Sequence, residues 1–228
     1  MKKIISTVPL FSELDADEIE AISRLVSSKQ YGKNMIVVQE GEPGDSMAII
    51  LSGSVKVSQY SPDGREVVLC LLESSSFFGE MALLDAEPRS ATVTTMEPTE
   101  LGHIRRGDFA RLMLDMPRLT KKLLAEIVHR LRRTNLVLAH ISTMDVNHRL
   151  YAYLNDYCEQ FGILRPDGRI EIRLPTHQLM ADQLSSSRET ISRAISVLKK
   201  DKVIIPLAGR GRVKVDVDAL DDMIEDFD

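Results

Sequence analysis

Short β-branched runs between Gly and Pro turns fill the first half of the chain. An apolar repeat at spacings of three and four follows, over residues 117–144. Two short helical patterns and a Gly-centred hairpin come last. These three observations predict an α+β chain: an N-terminal β barrel of jelly-roll type, one long helix, and a C-terminal winged helix-turn-helix. At 228 residues the chain is long enough for two domains of ordinary size.

Taking the elements in order, residues 12–26 read as an amphipathic helix. Ser12 is its N-cap, and Leu14, Ile19, Ile22 and Leu25 form its apolar side. Strands are expected at Met35–Gln39, Met47–Leu51, Ser54–Gln59, Glu66–Leu72, Ala91–Thr95 and Glu100–Ile104. Turns at Gly41–Asp45, Ser52-Gly53, Pro62–Gly64 and Glu97-Pro98 separate them. Pro117 opens a helix that ends near Met144. Its residues Leu124, Ile127, Leu131, Thr134, Leu138 and Ile141 form a heptad seam, the pattern of a two-helix coiled coil between subunits. The alternative is an amphipathic helix packed on its own barrel. Thr134 is the polar member of the seam. Its hydroxyl needs a partner, either a carbonyl of the preceding turn or a ligand beside the seam.

Asp145 caps a further helix from Val146 to about Gln160, which places a hinge near Thr143–Asp145. Arg165–Gly168 is a turn between short strands. Thr176 caps the first short helix, Ser185-Ser186-Ser187 makes the turn, and Arg188–Lys200 is the second helix, with Ile191, Ala194, Ile195 and Leu198 inward. Val203–Ile205 and Arg212–Val217 flank Ala208-Gly209-Arg210-Gly211 as a hairpin wing.

Net charge is −5 and the isoelectric point is near 5.6, but the charge is unevenly spread. From Thr176 to Lys214 there are eight bases against three acids, and beyond Lys214 seven acids and no base. A basic face and an acidic tail follow, the former suited to nucleic acid. In the second short helix Arg188, Glu189 and Arg193 can face base edges together. Arginine suits guanine O6/N7, and glutamate accepts from cytosine N4. Thr176, Ser186, Ser187, Ser192 and Lys199 are positioned for phosphates.

The segment Phe78–Leu84 followed by Pro88–Val93 sets the carboxylate of Glu80 and the guanidinium of Arg89 nine positions apart among small residues. Arginine can grip one phosphate through two parallel hydrogen bonds, and a carboxylate can accept from a sugar hydroxyl. Gly79, Ala82, Ser90 and Ala91 let backbone amides approach an anion. The pattern is that of a pocket for a small phosphorylated sugar. A metal-ligand cluster, an activated nucleophile and a second acid/base are all lacking, which argues against an enzyme. Cys70 and Cys158 are isolated and read as reduced packing residues of a cytoplasmic protein. No run is apolar enough to span a bilayer.

The order of these motifs resembles bacterial transcription regulators of the cyclic-AMP receptor protein (CRP/FNR) superfamily over nearly the whole chain. The resemblance implies a cyclic-nucleotide-binding β-roll over residues 1–116, a dimerisation helix and hinge over 117–144, and a winged helix-turn-helix DNA-binding domain over 145–228. It implies cyclic AMP as an allosteric ligand, with Glu80 accepting the ribose 2′-hydroxyl and Arg89 pairing with the cyclic phosphate. Ser90 and the amides around Gly79, Met81, Ala82 and Ala91 would complete the cradle. Thr134 falls on the position that meets the purine amino group, and Asn135 on the one that reaches the partner subunit's ligand. Arg188, Glu189 and Arg193 fall on base-reading positions, with Thr176, Ser187 and Lys199 beside the backbone.

The implied partners are near-palindromic double-stranded DNA, a second copy of the chain and RNA polymerase, with no membrane. Cyclic GMP, a cyclic dinucleotide or no effector are the alternatives, and no haem, iron–sulfur cluster or metal is expected. Asn135 replaces a serine, Ser185 stands where relatives often carry glycine, and the acidic tail is longer than the family ending. On this reading Arg89→Leu removes the cyclic-AMP response and leaves fold and dimer intact.

Overall fold

The computed structural model describes residues 2–225. Asp226 and Asp228 of the acidic tail lie outside them. The chain divides into two compact units, residues 1–132 and 133–228, and the long helix runs through the division.

The first unit is two four-stranded antiparallel sheets flanked by helices. One sheet has the order β1 (Ser27–Tyr31), β8 (Thr99–Arg105), β3 (Ser46–Ser52), β6 (Phe77–Phe78). The other runs β2 (Ile36–Val38), β7 (Thr92–Thr95), β4 (Ser54–Tyr60), β5 (Glu66–Glu73). Strand β3 shows why the sheets need cover on both sides. Successive side chains of a strand point to opposite faces. Ala48 and Ile50 therefore join Val55, Phe78, Val93 and Leu101 between the sheets, while Met47, Ile49 and Leu51 join the helical layer behind. That layer is built from α1 (Lys2–Ile5), α2 (Ala16–Leu25), α4 (Arg106–Asp115) and the first turns of α5 (Pro117–Thr143), which contribute Ile5, Ile22, Phe109, Leu119 and Leu123.

Helix α2 starts later than its sequence pattern suggests. Ser12 closes a 3₁₀ turn at Pro9–Phe11, its hydroxyl donating to the Pro9 carbonyl at 2.9 Å. The cap is Asp15, whose carboxylate accepts from Glu18 N at 2.9 Å while Glu18 returns an acceptor to Asp15 N at 2.9 Å. A reciprocal capping box satisfies two helix-end donors and outcompetes a lone serine upstream. Of the expected apolar side, Ile19 and Ile22 are buried while Leu25 is exposed.

The second unit packs α6 (Val146–Phe161), α7 (His177–Gln183), α8 (Arg188–Lys200) and α9 (Val217–Glu225) against a small antiparallel sheet. That sheet has the order β11 (Ile204–Pro206), β12 (Arg212–Val215), β10 (Ile170–Arg173), β9 (Ile163–Leu164). Asp145 caps α6, accepting from Asn147 N at 2.7 Å and His148 N at 3.0 Å. Ile191, Ala194, Ile195 and Leu198 of α8 are buried against Leu150, Leu154 and Met180. Ser185 holds the left-handed backbone that the turn requires, with φ 50°, so the turn keeps its shape without glycine. The acidic tail is helical as far as Glu225. Leu220 sits in the core, and Asp221 accepts from Asn155 Nδ2 at 2.5 Å.

Candidate functional site

Arg89 is first of all a wall residue of the fold. Its backbone is fixed to the turn ahead of β3: Arg89 N donates to Glu42 O at 2.8 Å, and Gly41 N donates to Arg89 O at 2.9 Å. The guanidinium donates from Nη1 to Gly79 O at 2.9 Å and from Nη2 to Ser46 O at 2.7 Å. Two glycines make room for it. A Cβ on Gly79, which has φ +83°, would stand 2.6 Å from Nη1, and one on Gly44 would stand 2.6 Å from Nε. Burial lowers the arginine's pKa, but a guanidinium stays charged in a protein. It carries five N–H donors, so an anion can be taken up without releasing either carbonyl. Arg89 borders a cavity of about 260 Å³ whose lining includes Val37, Val38, Asp45, Phe78 and His103.

Glu80 is buried at 4% exposure and does not line this cavity. Its Oε1 lies 3.1 Å from Arg130 Nη1 on α5, and Arg130 Nη2 donates to Phe77 O at 3.0 Å. The Arg130 guanidinium lies over the Phe77 ring, 4.4 Å from its centroid. Burial raises the pKa of the Glu80 carboxyl, and Arg130 opposes that rise. Beyond Glu80 a short helix, α3 (Met81–Asp85), is pinned by Arg106, whose Nη2 donates to Ala82 O at 2.8 Å. Ala82 and Ala91 are buried. Met81 and Ser90 are exposed, with Ser90 Oγ 3.6 Å from Met81 Sδ. Thr134 and Asn135 are consecutive exposed residues of α5, assigned to the second unit.

Sequence reasoning missed Arg130 and Arg106. A buried carboxylate needs a cation, and asking which one serves Glu80 would have directed attention to the arginines of the long helix.

The helix-turn-helix presents its polar residues outward. Ser187 caps α8, its Oγ accepting from Thr190 N at 3.1 Å. Thr176 caps α7, its Oγ1 accepting from Leu179 N at 3.2 Å. A hydroxyl that accepts at a cap still has a hydrogen to donate. Arg188, Glu189, Arg193 and Lys199 are exposed on α8, with Glu189 and Arg193 on the face opposite its buried stripe. The field there is positive: burial, then Lys199 and Arg188, lower the pKa of His177. The wing is less basic than a count over Thr176–Lys214 suggests. Arg212 Nε donates to Glu171 at 2.9 Å, Arg165 Nε donates to the other Glu171 oxygen at 2.7 Å, and Lys214 pairs with Asp167 at 2.6 Å. Both acids precede the counted window.

Helix α5 splits its apolar residues between two uses. Leu119 and Leu123 are buried in the core of the first unit, and Ile127 packs against it, which removes Ile127 from the outward seam. Leu124, Leu131, Leu138 and Ile141 remain open, 42–63% exposed. The inward-packed residues lie in the first part of the helix, and the open ones begin at Leu124 and continue beyond them. Among the described residues no group of His, Cys, Asp and Glu is placed to hold a metal ion, and no helix is long and apolar enough to cross a membrane.

Comparisons with known proteins place both halves of the chain in families. Residues 28–115 match the cyclic nucleotide-binding domain, and residues 148–223 match the Crp-like helix-turn-helix domain. A CRP-like cAMP-activated global transcriptional regulator of Mycobacterium tuberculosis is 30% identical over 200 residues, 86% of this chain and 88% of the relative. The cyclic AMP receptor protein of Thermus thermophilus is 31% identical over 208 residues, 91% and 92% of the two chains. The solved structure of the Thermus thermophilus catabolite activator protein is 28% identical, with a TM-score of 0.56 over 96% of this chain and all of that one. With a nucleotide-binding β-roll, a long helix and a winged helix-turn-helix in that order, the chain belongs to the CRP/FNR family of DNA-binding transcription regulators and is not an enzyme.

Proposed function

We propose that the chain is a homodimeric cytoplasmic regulator whose hold on near-palindromic DNA is set by cyclic AMP, and that it meets RNA polymerase at its promoters. The observation that carries the reading is the buried Arg89 guanidinium, held by two carbonyls and bordering a cavity in the nucleotide-binding domain. The cyclic phosphate pairs with the remaining donors of Arg89, with Ser90 and the amides around Gly79, Met81, Ala82 and Ala91 completing the cradle. The ribose 2′-hydroxyl donates to Glu80. A carboxylate has about four acceptor sites, so Glu80 can take that hydroxyl and still hold Arg130. The nucleotide thereby touches the Glu80–Arg130 ion pair that ties this segment to α5. One turn further along α5, Thr134 meets the purine amino group and Asn135 reaches the partner subunit's nucleotide. Loading shifts the equilibrium only by the difference in its affinity for the two states. The favoured state sets the two α8 helices about 34 Å apart, one turn of DNA.

Cyclic AMP is preferred as effector because two similar regulators are named for it. Calorimetric titration with cyclic AMP and, in parallel, cyclic GMP tests this. Micromolar or tighter binding of cyclic AMP, with cyclic GMP weaker, is the expected result, and binding of neither would overturn the effector assignment.

On the DNA side, Arg188, Glu189 and Arg193 read bases while Thr176, Ser187 and Lys199 hold phosphates. Glu189→Ala is expected to relax base preference at one symmetric pair of positions, by about 1–3 kcal/mol. Affinities for a set of single-base operator variants measure this. An unchanged preference would contradict the docking of α8.

A further inference from the structure

His103 lies on β8 with its ring turned toward Arg89's side of the barrel, and both residues line the same cavity. Its Nε2 is 3.2 Å from the Tyr31 hydroxyl. The charged groups around the ring come from every neighbouring segment. Lys29 on β1 stands over the Tyr31 ring at 4.8 Å from its centroid, and Arg89 comes from the segment before β7. Asp45 ahead of β3 and Glu42 in the preceding turn border the cavity as well. The ladder neighbours, Ser27 on β1 and Ala48 on β3, are uncharged. Burial, then Lys29 and Arg89, hold the imidazole's pKa below its ordinary value, with Asp45 opposing them. With the cradle empty, these surroundings disfavour the imidazolium.

A cyclic phosphate at Arg89 would alter this balance. Its negative charge offsets the field of Arg89 and favours the imidazolium over the neutral ring. We propose that His103 is a proton-linked partner of the phosphate subsite: nucleotide binding at Arg89 draws a proton onto the His103 imidazole, so effector affinity rises as the medium acidifies. The proposal rests on Arg89 being the phosphate residue. The linkage is reciprocal, because whatever raises proton affinity on nucleotide binding raises nucleotide affinity on protonation. The sign follows from the direction of the shift. Affinity climbs as pH falls from 8 through the region where the loaded protein protonates His103. It levels off once the empty protein is protonated there too.

The test is calorimetric titration of the full chain with cyclic AMP between pH 5.5 and 8, in buffers of different ionisation enthalpy. The wild type is expected to take up a fraction of a proton per nucleotide and to bind roughly two- to tenfold more tightly at the acid end. His103→Gln, which keeps a hydrogen-bonding group beside Tyr31, should bind with no uptake assigned to this site and a flatter pH profile. Tyr31→Phe is the second variant. Losing the hydroxyl that lies 3.2 Å from Nε2 should move the midpoint of the profile away from its wild-type position. Binding without proton uptake in the wild type, or the same uptake in His103→Gln, would overturn the proposal while leaving Arg89 as the phosphate residue. No cyclic AMP binding at any pH would overturn that assignment and the proposal with it.

Discussion

Arg89→Leu is expected to yield a folded but weakened protein that no longer responds to cyclic AMP. The loss of response follows from removing the phosphate's counter-charge. The weakening follows from what the guanidinium does without ligand: it donates to Gly79 O at the turn into Glu80 and to Ser46 O at the start of β3. Leucine would strand both carbonyls in a site where Arg89 itself is only 9% exposed. Each unsatisfied buried acceptor costs about 1–3 kcal/mol. The residue pattern alone suggested an intact fold, because it showed one face of Arg89 and not the other. Urea unfolding with and without cyclic AMP separates the two effects. Nucleotide at a hundredfold excess over Kd should stabilise the wild type by about 2.7 kcal/mol and the variant not at all. A midpoint equal to wild type without ligand would contradict the structural role, and a retained nucleotide effect would contradict the phosphate assignment.

Leu131→Glu combined with Leu138→Glu is expected to separate the subunits and to abolish tight operator binding. The two leucines are 58% and 63% exposed and lie one heptad apart on α5. Burying a leucine contributes about 1.5–3 kcal/mol, and a two-fold interface counts each residue twice. The glutamates remove that gain and set like charges across the seam. Neither residue belongs to the buried core of its own unit, so the monomer should remain folded. Sedimentation at micromolar concentration, with far-UV circular dichroism as the fold control, measures both. A dimer of unchanged stability would show that α5 is not the interface.

The contrast between these residues shows how far the sequence reaches. The β-branched runs between turns were legible because such residues favour strands, and the 3–4 repeat of α5 because a helix returns to the same face about every 3.6 residues. Strand β1, Ser27–Tyr31, escaped notice because its first four residues are exposed and polar, and it is held by backbone pairing to β8. Helix α4 escaped too, since only Phe109 and Leu112 of its residues are buried, too few to set a period. In the candidate site, the residue types at Gly79, Glu80 and Arg89 were legible from spacing. The partners of the two charges were not. Arg130 lies 50 residues from Glu80, and Asp167 lies 47 from Lys214, and no local pattern links positions so far apart. For the same reason a window count of charge overstated the open positive charge on the wing, where Arg212 is already engaged by Glu171.

Reciprocal coupling between nucleotide and DNA is the central claim, and one thermodynamic cycle tests it: the affinity for a near-palindromic operator, at fixed salt, with and without saturating cyclic AMP, and the affinity for cyclic AMP with and without operator. Cyclic AMP is expected to tighten operator binding about 5- to 150-fold, and the operator to tighten cyclic AMP binding by the same factor. Equal operator affinity in the two conditions would contradict it, leaving a DNA-binding protein whose cradle does not govern its grip.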